Sequence, residues 1–184
     1  ITVGQQLEEV TDGSVKGLIP IVESSASAKI RSESMRMLAQ RRITEALPAL
    51  VRVLERERDT VLQEAAALAL RDIGDPKAVT PLAEALEQAE SLRMKEVYIR
   101  ALGGFQSPAA VTALSEAAKG AGRDLFLTIV SALGTTHQPE AIPLLETASQ
   151  SDDLFTQLEA IHALGTIPDP KSVEALRSVL LRPG

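Results

Sequence analysis

An internal repeat of about 31 residues dictates how this chain can fold. Four segments fall into line: LALRDIGDPKAVTPLAEAL from Leu68, RALGGFQSPAAVTALSEAA from Arg100, SALGTTHQPEAIPLLETAS from Ser131 and HALGTIPDPKSVEALRSVL from His162. Indexed on Pro76, Pro108, Pro139 and Pro170, the steps are 32, 31 and 31 residues. Six positions before each proline stand Leu70, Leu102, Leu133 and Leu164, and one position earlier Ala69, Ala101, Ala132 and Ala163. Three positions after come Val79, Val111, Ile142 and Val173, and six after come Leu82, Leu114, Leu145 and Leu176. A shift of 32 residues back sets Leu38, Leu47, Leu50 and Leu54 on Leu70, Val79, Leu82 and Leu86, and a second shift brings Val15, Leu18 and Val22 onto the later columns. The pattern predicts one repeat domain of about six units, 1–27, 28–58, 59–90, 91–121, 122–151 and 152–184.

Each unit reads as two helices. The second opens with Asp75-Pro76, Ser107-Pro108, Gln138-Pro139 or Asp169-Pro170. Asp and Ser accept hydrogen bonds from free first-turn amides, and proline is tolerated where an N–H has no helical partner; Gln138 is the poorer cap. Asp59-Thr60 and Asp152-Asp153 begin first helices by the same logic. Gly103, Gly134 and Gly165 share a column near the end of the first helix, which predicts left-handed helix stops, with Gly74 doing the same slightly later in its unit. Helices of about 12 residues are marginal alone in water, so each must bury its apolar stripe on a neighbour. The alanine column is expected to bring the two helices of a unit close, and the leucine columns to fill the space between units. The outcome is an all-α solenoid held by nearest-neighbour contacts.

Composition agrees. Hydrophobic residues make up 45% and aromatic residues 2%, so the apolar content is almost wholly Ala, Leu, Val and Ile, which suits close helices better than strands. The absence of Cys excludes disulfides, thiol chemistry and thiolate metal sites. No stretch supplies the roughly 20 apolar residues of a membrane span. The chain begins at Ile1 rather than Met, which indicates a processed or cut form; cytoplasm is slightly favoured over other compartments.

Residues DIGDPKAVTPLAEAL from Asp72 and HALGTIPDPKSVEALRSVL from His162 resemble the short bacterial HEAT-like repeats also called PBS-lyase-type repeats. The resemblance covers residues 28 to 182 well and the N-terminal segment loosely. It implies a right-handed α–α superhelix whose second helices line the concave surface, and a role chiefly in protein–protein interaction. Two branches of that family handle cofactors or metals: the phycobilin lyases, which attach or remove bilins, and deoxyhypusine hydroxylase, which binds two irons through His-Glu pairs. Tetratricopeptide repeats are closest in length, but their Trp and Tyr signature positions are missing.

Chemistry-bearing residues are sparse. The histidines are His137 and His162, and neither precedes a Glu, so the hydroxylase pattern is not met. His162 occupies a variable, exposed-type column and His137 a turn. No Ser lies in a G-x-S-x-G elbow, and Gly103-Gly104 and Gly120-Ala121-Gly122 lack phosphate-loop spacing. Glu8-Glu9 and Asp152-Asp153 read as solvated or first-turn charges. The expectation is therefore no catalytic residue, no metal, no cofactor and no enzyme. Few aromatics (Tyr98, Phe105, Phe126 and Phe155) weaken a bilin lyase-like alternative.

A protein partner is expected on the second helices, at four, seven, eight and eleven positions after the proline. Its candidate contacts are Arg52, Arg56, Glu84, Glu87, Glu116, Lys119, Glu146 and Arg177. Charge is uneven: residues 29–58 carry eight basic against four acidic residues, net +4, and residues 59–150 seven against twelve, net −5. The basic block from Arg31 to Arg58 suits an acidic protein, an anionic surface or nucleic acid, and reads more simply as a solvated face. The net charge of −6 speaks against a general nucleic-acid binder. Self-association through terminal repeats remains open, because the last helix ends Val179-Leu180-Leu181 without a polar cap.

Overall fold

The computed structural model describes residues 15–181. The acidic pair Glu8-Glu9 and the first helix expected of the opening unit lie outside the described residues. Within them the chain is all-α, without a strand. The helices are α1 (Ile19–Ser24), α2 (Ala28–Gln40), α3 (Leu47–Arg56), α4 (Thr60–Ile73), α5 (Val79–Gln88), α6 (Leu92–Gly103), α7 (Pro108–Ala118), α8 (Arg123–Thr135), α9 (Ile142–Ala148), α10 (Leu154–Thr166) and α11 (Pro170–Leu180). Short 3-10 turns at Lys16–Leu18, Thr44–Ala46, Pro76–Ala78 and Pro139–Ala141 lead into α1, α3, α5 and α9. Two compact units are present, Ile1–Pro81 and Leu82–Gly184.

In the first unit, first helices α2 and α4 pack side by side, with α1 on α2 and α3 on α4. In the second, α6, α8 and α10 stack in order, and α7, α9 and α11 close their hairpins. The caps follow the sequence logic. Asp59 accepts from Val61 N–H at 2.8 Å, Asp75 from Lys77 at 2.9 Å, Ser107 from Ala110 at 3.3 Å and Asp169 from Lys171 at 2.8 Å. Gln138 makes no side-chain cap bond.

Burial follows the columns. Leu70, Leu102, Leu133 and Leu164 are each fully buried, and Ala69, Ala101, Ala132 and Ala163 nearly so. Sequence inspection overlooked two further columns. Ala46, Ala78, Ala110 and Ala141, with Ser172, are buried at the start of α3, α5, α7, α9 and α11 or in the turn leading into it, and Ile73, Phe105, Thr136 and Ile167 are buried at the end of the first helix or in the turn after it. Three expected positions depart: Val79, Val111 and Ile142 are at most 4% exposed, but Val173 is 57% exposed and Leu47 half-buried, and Leu176 is half-buried where Leu82, Leu114 and Leu145 are fully buried.

The first helices end at or one residue past the glycine column, but not through left-handed glycines. Gly103, Gly134 and Gly165 lie within α6, α8 and α10, and among described glycines only Gly74 (φ 75°) takes the left-handed conformation. Gly103 and Gly134 are instead where the next first helix comes closest. A Cβ on Gly103 would sit 3.0 Å from Ala132 Cβ and 2.7 Å from Thr135 Oγ1; one on Gly134 would sit 2.7 Å from Ala163 Cβ. Thr135 Oγ1 lies 3.0 Å from the Gly103 carbonyl and 2.8 Å from the Ala132 carbonyl of its own helix, sharing one proton between them, and Thr166 Oγ1 does the same with Gly134 at 3.0 Å and Ala163 at 2.7 Å. Ala132 and Ala163 therefore serve contact between successive first helices, a different role from the expected one inside a hairpin.

Asp153 ties two first helices together at their N-termini. It caps α10 through Thr156 N–H at 3.1 Å and pairs with Arg123, at the start of α8, at 2.5 Å. The Arg123 hydrogen bond, with Thr156 adding to it, pushes the Asp153 carboxyl from 3.8 down to about 2. A depressed folded pKa contributes stability that is complete above the unfolded value and disappears as pH falls through the folded one. Thermal melts of wild type and Asp153→Asn should therefore differ at neutral pH and converge between about pH 4 and about pH 2. A constant difference across that window would contradict the ion pair.

Candidate functional site

The second helices carry the candidate contacts on solvent-facing positions. Arg56, Glu84, Glu87, Glu116, Lys119 and Arg177 are exposed, and Arg52 and Glu146 half-buried. In α5, α7 and α9 buried apolar anchors at three and six positions after the proline hold the helix down, which leaves the intervening positions facing water.

Two grooves gather several of these residues. In the first unit, a groove of about 400 Å³ is lined by Glu23, Arg31, Arg52, Val53, Arg56 and Glu57. Arg52 forms a two-pronged contact with Glu23, and Arg31 bonds both the Glu57 carboxylate at 2.6 Å and the Val22 carbonyl at 2.7 Å. The hydrogen bond from Arg52 holds Glu23 below the usual carboxylate range, and the bond from Arg31 does the same to Glu57. Arg56 enters the groove with no ion pair among the described residues, so the groove keeps one surplus positive charge.

In the second unit, a groove of about 410 Å³ includes Leu86, Glu87, Lys95, Glu116, Ala117 and Gly120 in its lining. Lys119 pairs with Glu116 at 2.7 Å. Column by column this is the same groove two repeats on. Glu87 takes the place of Glu23, Lys95 of Arg31, Glu116 of Arg52, Ala117 of Val53 and Gly120 of Arg56. The frame is retained while the charge at the Arg52 position reverses and the Arg56 position becomes a glycine. Glu84, Lys119, Glu146 and Arg177 lie outside both linings. Sequence reasoning missed Glu23 although it shares the column of Glu87, eleven after the index. It missed Arg31 and Lys95 as groove residues because they come from first helices.

Other clusters are poorer. The two histidines meet: His137 and His162 line a cavity of about 90 Å³ with Glu159 and Thr166. His137 sits at φ 53°, and its Nδ1 lies 3.0 Å from the Thr166 carbonyl, which requires the proton on Nδ1. Among the described residues no group of three or more His, Cys, Asp or Glu is placed to hold a metal. A shallow cavity of about 470 Å³ lies along α8 and α10 and includes Arg100, Thr128, Phe155 and Glu159. No helix among the described residues is long and apolar enough to cross a membrane.

A family model for HEAT repeats matches residues 15–102 and 123–183. This chain belongs to the HEAT repeat family. Among solved structures, the complex of CpcE and CpcF of phycocyanin lyase from Nostoc sp. PCC7120 is similar, with a TM-score of 0.67 and 24% identity over 96% of this chain and 73% of that one. Human deoxyhypusine hydroxylase in complex with glycerol is a more distant likeness, at 0.48 and 21% over 95% and 81%. No curated protein matches the sequence. The first likeness places the HEAT repeats here in an all-α repeat fold, as the proline-indexed columns indicate.

Proposed function

We propose that this HEAT repeat chain is a non-catalytic scaffold that receives a protein partner along its second helices. The observation that carries the reading is the pair of equivalent grooves, Glu23/Arg31/Arg52/Arg56 and Glu87/Lys95/Glu116. Charged groups line an otherwise repeated frame there, and their arrangement changes from one repeat to another. That is how a repeat protein acquires partner specificity, since potentials complementary to one partner repel others. Arg56 selects an acidic side chain on the partner, while Glu84, Glu87 and Glu146 select basic ones. Charge reversal at Arg52 and Arg56 is expected to weaken partner binding about ten-fold and to flatten its salt dependence. Unchanged binding after both reversals would contradict the proposal.

A second reading follows from the phycocyanin lyase complex: a chromophore-handling protein that works with another repeat subunit. The shallow cavity along α8 and α10, with Phe155 exposed beside Arg100, is the place such a chromophore would lie. Titration with a bilin distinguishes the two. A saturable absorbance change lost in Phe155→Ala supports the chromophore reading; a flat titration beside intact protein binding supports the scaffold.

A further inference from the structure

The six columns that line the groove of the first unit all recur, 64 residues on, in the lining of the groove of the second. The first groove is closed by its own side chains. Arg52 grips Glu23 with two nitrogens, and Arg31 bonds the Glu57 carboxylate at 2.6 Å and the Val22 carbonyl at 2.7 Å. In the second groove each ion pair has lost one half. Glu116 stands where Arg52 supplies the cation, and Ala121 stands where Glu57 supplies the carboxylate.

The surviving halves are Glu87 and Lys95. Neither makes a hydrogen bond or ion pair among the described residues, so they do not bond each other. Both oxygens of Glu116 are taken by Lys119 at 2.7 Å. Lys95 is half-buried, so its ammonium has given up part of its hydration without a carboxylate in return. Val53, Arg56 and Glu57 are shortened here to Ala117, Gly120 and Ala121, which leaves both groups open to a groove of about 410 Å³.

We propose, resting on the scaffold reading above, that one segment of the protein partner sets an arginine on Glu87 and a carboxylate on Lys95. The two ion pairs that the first unit makes within the chain are thereby made in the second unit with the partner. The first unit supplies the choice of groups, since its Glu23 takes a guanidinium and its Arg31 a carboxylate from the same columns. A wholly basic segment is repelled by Lys95 and a wholly acidic one by Glu87, so the pair rejects what either charge alone would admit. Ion pairs in an open groove add little affinity, and the groove serves chiefly to discriminate.

The test titrates the full chain with capped peptides holding one arginine and one glutamate in an alanine host, in either order and at increasing separation. Binding is followed through the backbone amide resonances of Gly120 and Ala121. At one separation these resonances should shift saturably, with affinity falling at least about five-fold when either charged residue of the peptide is alanine. Lys95→Ala should weaken the same binding at least about five-fold. Glu116→Arg with Ala121→Glu rebuilds both internal pairs and should abolish it, while the chain melts at or above the wild-type temperature. Saturation by no peptide, equal binding of the arginine-only peptide, or binding indifferent to both protein variants overturns the proposal. Free arginine, itself a guanidinium and a carboxylate, binding as tightly as the best peptide overturns it in favour of a small molecule. Failure of every peptide while Arg52→Glu, Arg56→Glu still weakens the partner overturns this proposal and spares the scaffold reading; saturable peptide binding with the partner indifferent to that variant does the reverse.

Discussion

Leu133→Ala should cost about 2 to 5 kcal/mol, the range for removing a fully buried leucine from a core that relaxes only in part. Leu133 is inside α8, the central first helix of the second compact unit, with α6 on one side and α10 on the other. Collapse around the cavity would require moving both neighbours, and the glycine contacts at Gly103 and Gly134 already hold them at closest approach. The loss should appear in the unfolding transition of Leu82–Gly184, read by denaturant titration with a probe in that unit. A change below about half a kcal/mol would mean that the leucine column does not mark the core.

Gly134→Ala is the second large effect, and two terms oppose each other in it. Alanine is the better helix former, by about 1 kcal/mol in a helix interior. Against that, the new Cβ would stand 2.7 Å from Ala163 Cβ and 2.9 Å from Ala163 Cα, part of it backbone that cannot rotate away. Overpacking of this kind costs about 1 to 3 kcal/mol, and pushing α10 outward also lengthens the 3.0 Å bond from Thr166 Oγ1 to the Gly134 carbonyl. The clash wins, and net destabilisation of about 1 to 2 kcal/mol is expected. Replacing Thr166 by Val in the wild type should cost less, because only the hydroxyl contact is lost.

The fold was legible because periodic burial writes itself into a sequence at fixed spacing. Leu70, Leu102, Leu133 and Leu164 mark the core without any knowledge of coordinates, and Asp59 and Asp169 mark helix starts through chemistry local to one turn. The glycine column was visible but its cause was misassigned. A glycine near a helix end has two physical explanations, a left-handed residue or a close neighbour. Only the positions of Ala132 and Ala163 decide between them. Val173 was misplaced because its column is defined by spacing alone, and spacing does not report what packs against a position: Val173 is 57% exposed where Val79, Val111 and Ile142 are buried. The candidate contacts on second helices were legible as solvent-facing positions. Their grouping into grooves was not, because Arg31 and Lys95 reach those grooves from first helices, and Arg52 is tied to Glu23 across 29 residues of sequence.

The most direct measurement compares Gly134→Ala with Gly165→Ala by denaturant unfolding of the same full chain. Both glycines are helical, occupy one column, and differ in that α10 lies on the first while nothing lies within 4 Å of a Cβ on the second. If repeat-on-repeat packing sets this structure, Gly134→Ala destabilises while Gly165→Ala stabilises by about 0.5 to 1 kcal/mol. Changes of the same sign and size at both positions would contradict it.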